Sequence, residues 1–593
     1  DQVTFNSQYS FSGTNNCPGG TPAYICGLAT VANIQHNVPQ HFRLNEYSFF
    51  GQDTWKATEK LTVTYGLRWE IDPAIEYLNG YPGWSVNRSS FSLNNLTQTT
   101  LNPLGTAAYD TRWGNVSPRI GLAYQISADP TWGRTLRAGY GLFYDTGNQV
   151  FSLGNSPWNA RCNNLTACTI PPYTGPALPV VPFPISLANN RFTSPPVIVK
   201  PVVFPIALQS DNLIDPNYSM PYVHQTNVTL EQQLGPAQTL TLSYIGAFGE
   251  NLIGQLLFPP NLTNANVLGQ GSNCATKPYC GDTWFIVGNY ASSNYNGLQA
   301  KLQRQFIHNI GALVSYTWSH SIDNTSTNGT LGTQAVPTPA TLSTGRPTSL
   351  FRGNSDFDVR QIFAASLVSV IPGPSHGIGK VLLGNWSVDP IYHYQTAAPM
   401  DIFAITTATF AASSNMVQRP TLLPGIPVFV SGAACDAQYG AKLGVNACPG
   451  GKALNIAPVA PATAAAAGCT APTATNAKGA FCTPKPVGTQ AVSGNLGRNI
   501  YRSFPLQEFD LSVHKDFPLV KQLRFRFQMD MFNVFNQPNF GAIDSTMLDS
   551  NFGLTTAMAN SALGSGNSSG VGFNPIFATG GPRNFQFAGK FIF

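Results

Sequence analysis

Long stretches of this chain alternate strictly between apolar and polar residues. One runs Leu61-Thr-Val-Thr-Tyr-Gly-Leu-Arg-Trp-Glu, and another runs Leu523-Arg-Phe-Arg-Phe-Gln-Met-Asp-Met. A period of two predicts β-strands with one apolar and one polar face, because successive side chains of a strand point to opposite sides. The chain ends in the same pattern, since Phe585, Phe587 and Phe593 share one parity. Such a terminal strand must be paired and its aromatic face covered, as in a lipid-facing barrel.

The chain contains few charged residues and no long apolar segment, and this combination limits the possible fold classes. Of the 593 residues 10% are charged, against roughly 25% in ordinary soluble domains. Mean hydropathy is −0.05, and no stretch of about 18 apolar residues is present, which excludes a helical membrane protein. A transmembrane β-barrel fits, because each strand shows lipid only every second residue. The net charge of +5 comes from scattered basic residues, so nothing indicates nucleic-acid binding.

The alternating stretches predict about fourteen strands of an all-β, transmembrane antiparallel barrel. They cover residues 1–12, 41–55, 58–70, 115–127, 134–145, 221–235, 238–250, 292–306, 310–323, 355–371, 384–397, 504–517, 522–536 and 583–593. Tight connections, such as 127–133 and 518–521, alternate with long ones at 71–114, 146–220, 251–291, 398–503 and 537–582. Short turns on the periplasmic rim and long extracellular loops are typical of outer-membrane barrels. An even number of strands predicts both chain ends on the short-turn rim.

Tryptophans lie near the predicted strand ends, where the interfacial girdles of a barrel are expected. They are Trp55, Trp69, Trp113, Trp132, Trp318 and Trp386.

The ten cysteines fall into neighbouring pairs within Gly-, Pro-, Asn- and Thr-rich segments outside the predicted strands. The pairs are Cys17 and Cys26, Cys162 and Cys168, Cys274 and Cys280, Cys435 and Cys448, and Cys469 and Cys482. Cysteines in even number, close in sequence and confined to loops favour disulfides formed in an oxidising compartment. A metal site is the weaker interpretation, because no Cys-x-x-Cys occurs and no histidine has zinc spacing. Connectivity stays open at this level.

The long connection 398–503 contains the alanine-rich run 457–468, which includes Pro458 and Pro461. These prolines argue against a stable helix. We therefore expect a mobile surface excursion fastened by two cysteine pairs, and no separate domain.

No catalytic motif is present: the chain lacks Gly-x-Ser-x-Gly, His-Glu-x-x-His and a P-loop. The eight histidines are dispersed, so we expect neither an enzyme nor a cofactor or metal. The polar parity instead supplies candidate lumen-facing residues, which hydrate the interior by pairing with one another or contact a plug and solutes. They are Arg68, Glu70, Lys301, Asp356, Asp358, Arg360, Asp510, Arg524, Arg526 and Asp530.

An ordered series of segments resembles TonB-dependent outer-membrane receptors of the Oar-like branch, common in acidobacteria. The series begins with Asn45-Glu-Tyr-Ser-Phe-Phe-Gly-Gln-Asp-Thr-Trp-Lys and Leu61-Thr-Val-Thr-Tyr-Gly-Leu-Arg-Trp-Glu. It continues through Ser117-Pro-Arg-Ile-Gly-Leu-Ala-Tyr, Arg137-Ala-Gly-Tyr-Gly-Leu-Phe-Tyr-Asp, Ser293-Asn-Tyr-Asn-Gly-Leu-Gln-Ala-Lys-Leu, Ser315-Tyr-Thr-Trp-Ser-His-Ser-Ile-Asp, Ser355-Asp-Phe-Asp-Val-Arg-Gln and Met531-Phe-Asn-Val-Phe-Asn-Gln-Pro-Asn-Phe-Gly. The resemblance covers nearly the whole chain from about residue 42 onward.

The resemblance implies a bacterial outer-membrane protein whose family has a signal peptide, a regulatory-like β-domain, a TonB box, a plug and a barrel of 22 strands. Residues 1–593 would then be the C-terminal part of the barrel, without the plug, the N-terminal regulatory-like domain and about eight strands, and with 398–503 as an extracellular insertion. The implied partners are outer-membrane lipid, the TonB system through the N-terminal part, and the barrel assembly machinery, which would recognise Phe593.

Three functions remain open. The first is an importer or exporter of a ligand across the outer membrane, the second a surface structural or adhesion protein, and the third a passive porin. The loops 146–220 and 398–503 are the candidates for ligand recognition. Because they are poor in charge, they favour neutral ligands such as glycans or peptides.

Overall fold

The computed structural model describes residues 42–78, 85–92, 102–103, 105–145, 210–258, 283–326, 333–335, 352–374, 376–384, 386–404, 419–473, 476–485, 494–520, 522–559 and 581–593. It also describes the backbone of the strands at 4–12, 28–37, 160–162, 173–174 and 197–198.

One large sheet dominates this part of the chain. Thirteen strands follow one another across it in chain order, and each pairs antiparallel with its sequence neighbours. They are β1 Tyr47–Lys56, β2 Leu61–Asp72, β3 Arg112–Ser127, β4 Arg134–Tyr144, β5 Tyr222–Gln233, β6 Gln238–Phe258, β7 Thr283–Ile307, β8 Ile310–Asp323, β9 Gln361–Ile371, β10 Trp386–Gln395, β11 Leu506–Val520, β12 Leu523–Phe532 and β13 Asn584–Ile592. Short strands at Ser210–Ile214, Thr333–Ala335 and Gly353–Asn354 pair with β7, β6 and β8. This all-β sheet is the predicted fold class.

The sheet is open between its edge strands β1 and β13 in the described residues. The predicted strand 1–12 does not extend it: Thr4–Ser12 pairs with Leu28–Asn37, which pairs with Ala160–Cys162, in a separate sheet. The chain therefore enters the large sheet from the long-connection rim and leaves β13 on the short-turn rim. The expectation that both chain ends lie on the short-turn rim assumed that strand 1–12 belongs to this sheet, and that assumption is wrong, because an alternating pattern predicts a strand without choosing its partner.

Several predicted strand boundaries move once pairing is known. Strands β6 and β7 run beyond the predicted 250 and 292, because Leu252 to Phe258 pair back onto Trp284 to Ala291. The predicted strand 355–371 begins only at Gln361.

Cross-strand register keeps the two faces of the sheet chemically distinct. On one face Trp69 lies opposite Val116, Leu298 opposite Trp318 and Phe525 opposite Phe591. On the other, Arg68 lies opposite Ser117 and Asp516 opposite Arg526. We call these the apolar face and the polar face. A one-residue slip of any strand would exchange them, so the pattern fixes the register.

The tryptophans lie at both rims. Trp69, Trp113 and Trp318 lie toward the long connections, and the indole N–H of Trp69 donates to the carbonyl of Trp113 at 2.8 Å. Trp55, Trp132 and Trp386 lie toward the short turns.

The long connections β10–β11 and β12–β13 fold together into one unit. We call the described residues of 396–505 and 533–559 the cap. Its core includes Ile402, Leu454, Phe481, Met547 and Phe552, which come from both connections and are almost fully buried. The described residues of the insertion 398–503 are therefore packed, and for them the expectation of a mobile excursion is wrong.

Helices and short strand pairs complete the description. The helices are α1 Gly377–Leu383, between β9 and β10, and α2 Ala433–Leu443 and α3 Pro461–Ala466 in the cap. A 3₁₀ turn covers Pro449–Gly451. The cap strands pair Pro399–Met400 with Tyr501–Arg502, Phe429–Val430 with Ala453–Leu454, and Phe481–Cys482 with both Thr421–Leu422 and Ala477–Lys478. Elsewhere Phe42–Arg43 pairs with Glu76–Tyr77, and Tyr173–Thr174 with Val197–Ile198.

Helix α3 corrects the prediction made for the alanine-rich run. Pro461 is the first helical residue, a position where its missing N–H would be unbonded anyway and its fixed φ is already helical. Gly468, with a positive φ of 72°, follows the helix end, as glycine commonly does. The prolines therefore set where the helix begins and do not prevent it.

Candidate functional site

The polar face gathers most of the candidate lumen-facing residues. Register places Lys301 between Thr241 and Ser315, and Asp530 opposite Ser512. The candidates on this face are Arg68, Glu70, Lys301, Asp510, Arg524, Arg526 and Asp530. Lys301 is exposed near the middle of the sheet. The strands thus bring charged residues that are distant in sequence onto one face of the sheet.

Ion pairs concentrate on this face toward the short-turn rim. Arg526 donates to both carboxylate oxygens of Asp516, at 2.6 and 2.9 Å. Arg524 lies 3.9 Å from the same carboxylate, and His514 Nδ1 lies 3.2 Å from Asp389. A bidentate arginine–carboxylate pair is geometrically specific, so these side chains hold one another in fixed positions.

Hydrogen bonds continue the polar face along the neighbouring strands. The Ser512 hydroxyl donates to Asp530 at 2.6 Å, and Arg68 donates to Glu70 at 2.6 Å. Asp510 accepts from the backbone N–H of Asn533 at 2.8 Å. Pairing of this kind lets a face carry charge without a large net field, which suits a water-filled interior.

Three candidates lie elsewhere. Asp356, Asp358 and Arg360 belong to the turn before β9. Asp358 is almost completely buried, and Arg502 donates to its carboxylate. Arg360 lies 3.9 Å from the same group. These residues form part of a clasp at the long-connection rim.

The clasp is centred on Arg498, which sequence reasoning missed. Its guanidinium donates to Asp323 at 2.6 Å and to Asp356 at 3.0 Å, and the Asn499 amide donates to Asp356 at 2.6 Å. Arg498 and Asp323 are 175 positions apart in sequence, and no local pattern links them. The clasp fastens the end of the cap to the end of β8.

Two predicted cysteine pairs are disulfides in the cap. Cys435–Cys448 and Cys469–Cys482 have Cα–Cα distances of 5.6 and 6.0 Å, each across 13 positions of sequence. Their side chains lie among buried residues such as Tyr439 and Leu423. The side chains of the other predicted cysteines, Cys17, Cys26, Cys162, Cys168, Cys274 and Cys280, lie outside the described residues.

Lysines of the cap point into its own structure. Lys442, Lys452 and Lys478 donate to the backbone carbonyls of Ser550, Arg502 and Met547 at 3.1, 3.1 and 2.6 Å. Burial lowers the pKa of Lys452 and of Lys478 below the ordinary value of lysine. Three lysine ammonium groups of the cap therefore bond to backbone carbonyls of the cap itself.

Asp544 shows the opposite shift within the same cap. Burial raises its pKa above the ordinary value, against the effect of the Thr546 backbone N–H that donates to it at 3.0 Å. The carboxylate is therefore held where its charged form is disfavoured.

Among the described residues no group of His, Cys, Asp and Glu side chains has an arrangement that could hold a metal ion. In the same part of the chain, no helix combines the length and the apolar character needed to cross a membrane. The geometry offers paired charges on an extended polar face and a folded cap above one rim.

Comparisons with known proteins bear on this arrangement. Residues 1–584 match the family described as "Outer membrane beta barrel domain". A search of curated proteins found no match.

Solved structures of outer-membrane proteins are similar in part. The outer membrane transporter YddB from Escherichia coli superposes with a TM-score of 0.39 at 10% identity over 88% of this chain and 53% of its own. The copper transporter OprC gives 0.35 at 10% identity over 98% and 51%. The siderophore receptor PiuA from Acinetobacter baumannii gives 0.35 at 9% identity over 89% and 42%.

The chain spans about half the length of these structures or less. The assignment rests on the domain match, which covers nearly the whole sequence and agrees with a sheet of long strands that has one apolar and one polar face. The chain belongs to the outer membrane β-barrel domain family and is a protein of the bacterial outer membrane.

Proposed function

We propose that this chain forms the barrel of a TonB-dependent outer-membrane receptor that moves a ligand across the outer membrane. The observation that carries the proposal is the polar face, which runs from Arg68 in β2 to Arg526 in β12 on the side of the sheet opposite the apolar face. With the apolar face toward lipid, the polar face lines a lumen. The paired charges on this face then attract water into the interior. Because opposite charges lie side by side, they repel neither cationic nor anionic solutes strongly.

The cap is the proposed site of ligand recognition. Three of its lysines, Lys442, Lys452 and Lys478, donate to backbone carbonyls of the cap, and Arg419 forms a buried ion pair with Asp401 at 3.0 Å. A surface left with little charge favours neutral ligands, and we propose glycans or peptides as the ligand class. Disulfides keep the cap folded outside the cell, where the compartment is oxidising.

Partners follow from the same proposal. Energy coupling of the proposed transport requires the TonB system. Phe593, exposed at the end of β13, is the proposed recognition element for the barrel assembly machinery.

Uptake by whole cells tests the proposal. Cells that carry or lack the gene are given fluorescent neutral maltooligosaccharides or neutral peptides, with and without a protonophore. We expect uptake of one ligand class that requires both the gene and the proton-motive force. Deletion of residues 419–485 should abolish binding, while the heat-modifiable migration of the barrel in gels is retained.

Two other outcomes would contradict it. Gene-dependent uptake that ignores the protonophore would identify a passive porin. Unchanged uptake together with loss of cell–cell adhesion would identify a surface structural protein.

A further inference from the structure

A lysine lies on the apolar face of the sheet. Register places Lys515 of β11 between Trp386 of β10 and Phe527 of β12, on the same parity as Val513 and Phe517. Only 2% of its surface is exposed. A lysine exposed to lipid destabilises a barrel by about 2–4 kcal/mol at the bilayer midplane and by less near the interfaces. Groups that shield the Lys515 ammonium from lipid would therefore stabilise the protein.

The connection between β9 and β10 supplies the cover. The Lys515 ammonium donates to the carbonyl of Gly384 and lies over the rings of Trp386 and Phe517, at 5.6 and 5.4 Å from their centroids. The Trp386 indole donates to the carbonyl of Leu382 at 3.0 Å. The end of α1 and Gly384 therefore lie against the apolar face at the short-turn rim.

Three large apolar side chains of this connection are exposed. Ile378 is 77% exposed, Leu382 is 56% exposed and Leu383 is 63% exposed. The neighbouring strand ends continue the patch, because Ile371 and Val520 are exposed as well. A short turn that faced water would not be expected to present contiguous large apolar side chains.

The position of the patch identifies its occupant. It is continuous with the apolar face that contacts lipid, and it lies on the rim where Trp55 and Trp132 are exposed and Trp386 begins β10. Tryptophans mark the membrane–water interface. A helix at this level with apolar residues on its free side matches an interfacial segment.

We propose that the connection 372–385 is an interfacial foot, inserted into the phospholipid leaflet on the short-turn side, which also shields Lys515 from the acyl chains. The foot fixes the depth of the barrel in the membrane at this point of the rim. The proposal rests on the membrane location of the family and is independent of transport.

Lipid crosslinking tests the occupant directly. A photoactivatable diazirine amino acid replaces Leu382 in the full chain in cell outer membranes, and lipid adducts are measured by mass spectrometry. Leu298, on the apolar face of β7, provides the reference yield for a lipid-facing position. Val445, 83% exposed in the cap, provides the reference yield for a water-facing position. We expect the yield at Leu382 to lie within about 2-fold of Leu298 and at least about 10-fold above Val445.

A yield at Leu382 equal to that at Val445, or adducts with protein in place of lipid, would overturn the proposal. Stability gives a second readout. Ile378→Asp and Leu382→Asp should lower the temperature of the heat-modifiable gel shift in membranes, whereas Val445→Asp should leave it unchanged. Equal shifts for all three variants would contradict a foot in lipid. A loss of ligand uptake alone would bear on the proposed function and not on the foot.

Discussion

Arg498 in the cap donates to the carboxylate of Asp323 at the end of β8 at 2.6 Å, and 5% and 6% of the two side chains are exposed. The same guanidinium reaches Asp356 at 3.0 Å. This buried contact joins a long connection to the rim of the sheet. It fastens the cap to the sheet at the long-connection rim.

Replacement of Arg498 should release the cap. Arg498→Met leaves Asp323 buried without its main partner, and loss of one member of a buried pair typically costs about 3–5 kcal/mol. We expect faster hydrogen exchange in residues 494–504 and 353–358, measured by mass spectrometry. Arg43→Met is the matched control, because its pair with Glu76 at 3.3 Å is exposed and should contribute less than about 1 kcal/mol. Similar effects of the two variants would refute the clasp.

The disulfides should stabilise the cap and not the sheet. Closing a loop of about 15 residues contributes roughly 3 kcal/mol by restricting the unfolded chain. The double variant Cys435→Ala with Cys448→Ala should therefore be cut faster by thermolysin within 433–454, while heat-modifiable migration stays unchanged. Cleavage at the wild-type rate would show that packing around Tyr439 suffices without the crosslink.

Adjacent substitutions in β7 test the two faces. Leu302 lies on the apolar face opposite Leu240 and Val314, whereas Lys301 lies on the polar face. Leu302→Lys should destabilise the barrel by about 2–4 kcal/mol if the position is near the bilayer midplane, and Lys301→Leu by much less. Urea unfolding in liposomes gives both values. A larger loss for Lys301→Leu would reverse the assigned facing.

Asp544 should make cap stability depend on pH. Because its folded pKa lies above the ordinary 3.8, the folded state keeps a proton that the unfolded chain has released. The free energy of unfolding therefore falls as pH rises through the folded pKa, and the contribution is fully present only below the unfolded value. Asp544→Asn retains an oxygen for the Thr546 N–H and removes this penalty.

We expect the Asp544→Asn cap to exchange hydrogen more slowly than wild type at about pH 7, after correction for intrinsic rates, and the two to converge in acid. The measured peptide would span residues 543–554. Asp544→Ala serves as the control, because it removes the acceptor as well and should lose the gain. Equal protection of wild type and the asparagine variant at neutral pH would argue against a raised pKa.

Much of the fold could be predicted, because strand formation depends on neighbouring residues. The alternation around Leu61 and Leu523 predicted strands and their two faces, and the spacing of Cys435 and Cys448 predicted a crosslink that the structure contains. Long-range partners were not predictable in this way. The partner of Thr4–Ser12 and the contact between Arg498 and Asp323 depend on which segments meet in space.

The sequence by itself determined the all-β class, the two-faced strands and their order along the chain, because the period of side-chain direction is a local property. Only the tertiary structure decided that the described residues of 398–503 pack with residues 540–552 into a cap, and that the carbonyl of Gly384 accepts from buried Lys515. The physical reason is that burial and ion pairing depend on distances between remote segments, which a linear pattern does not contain.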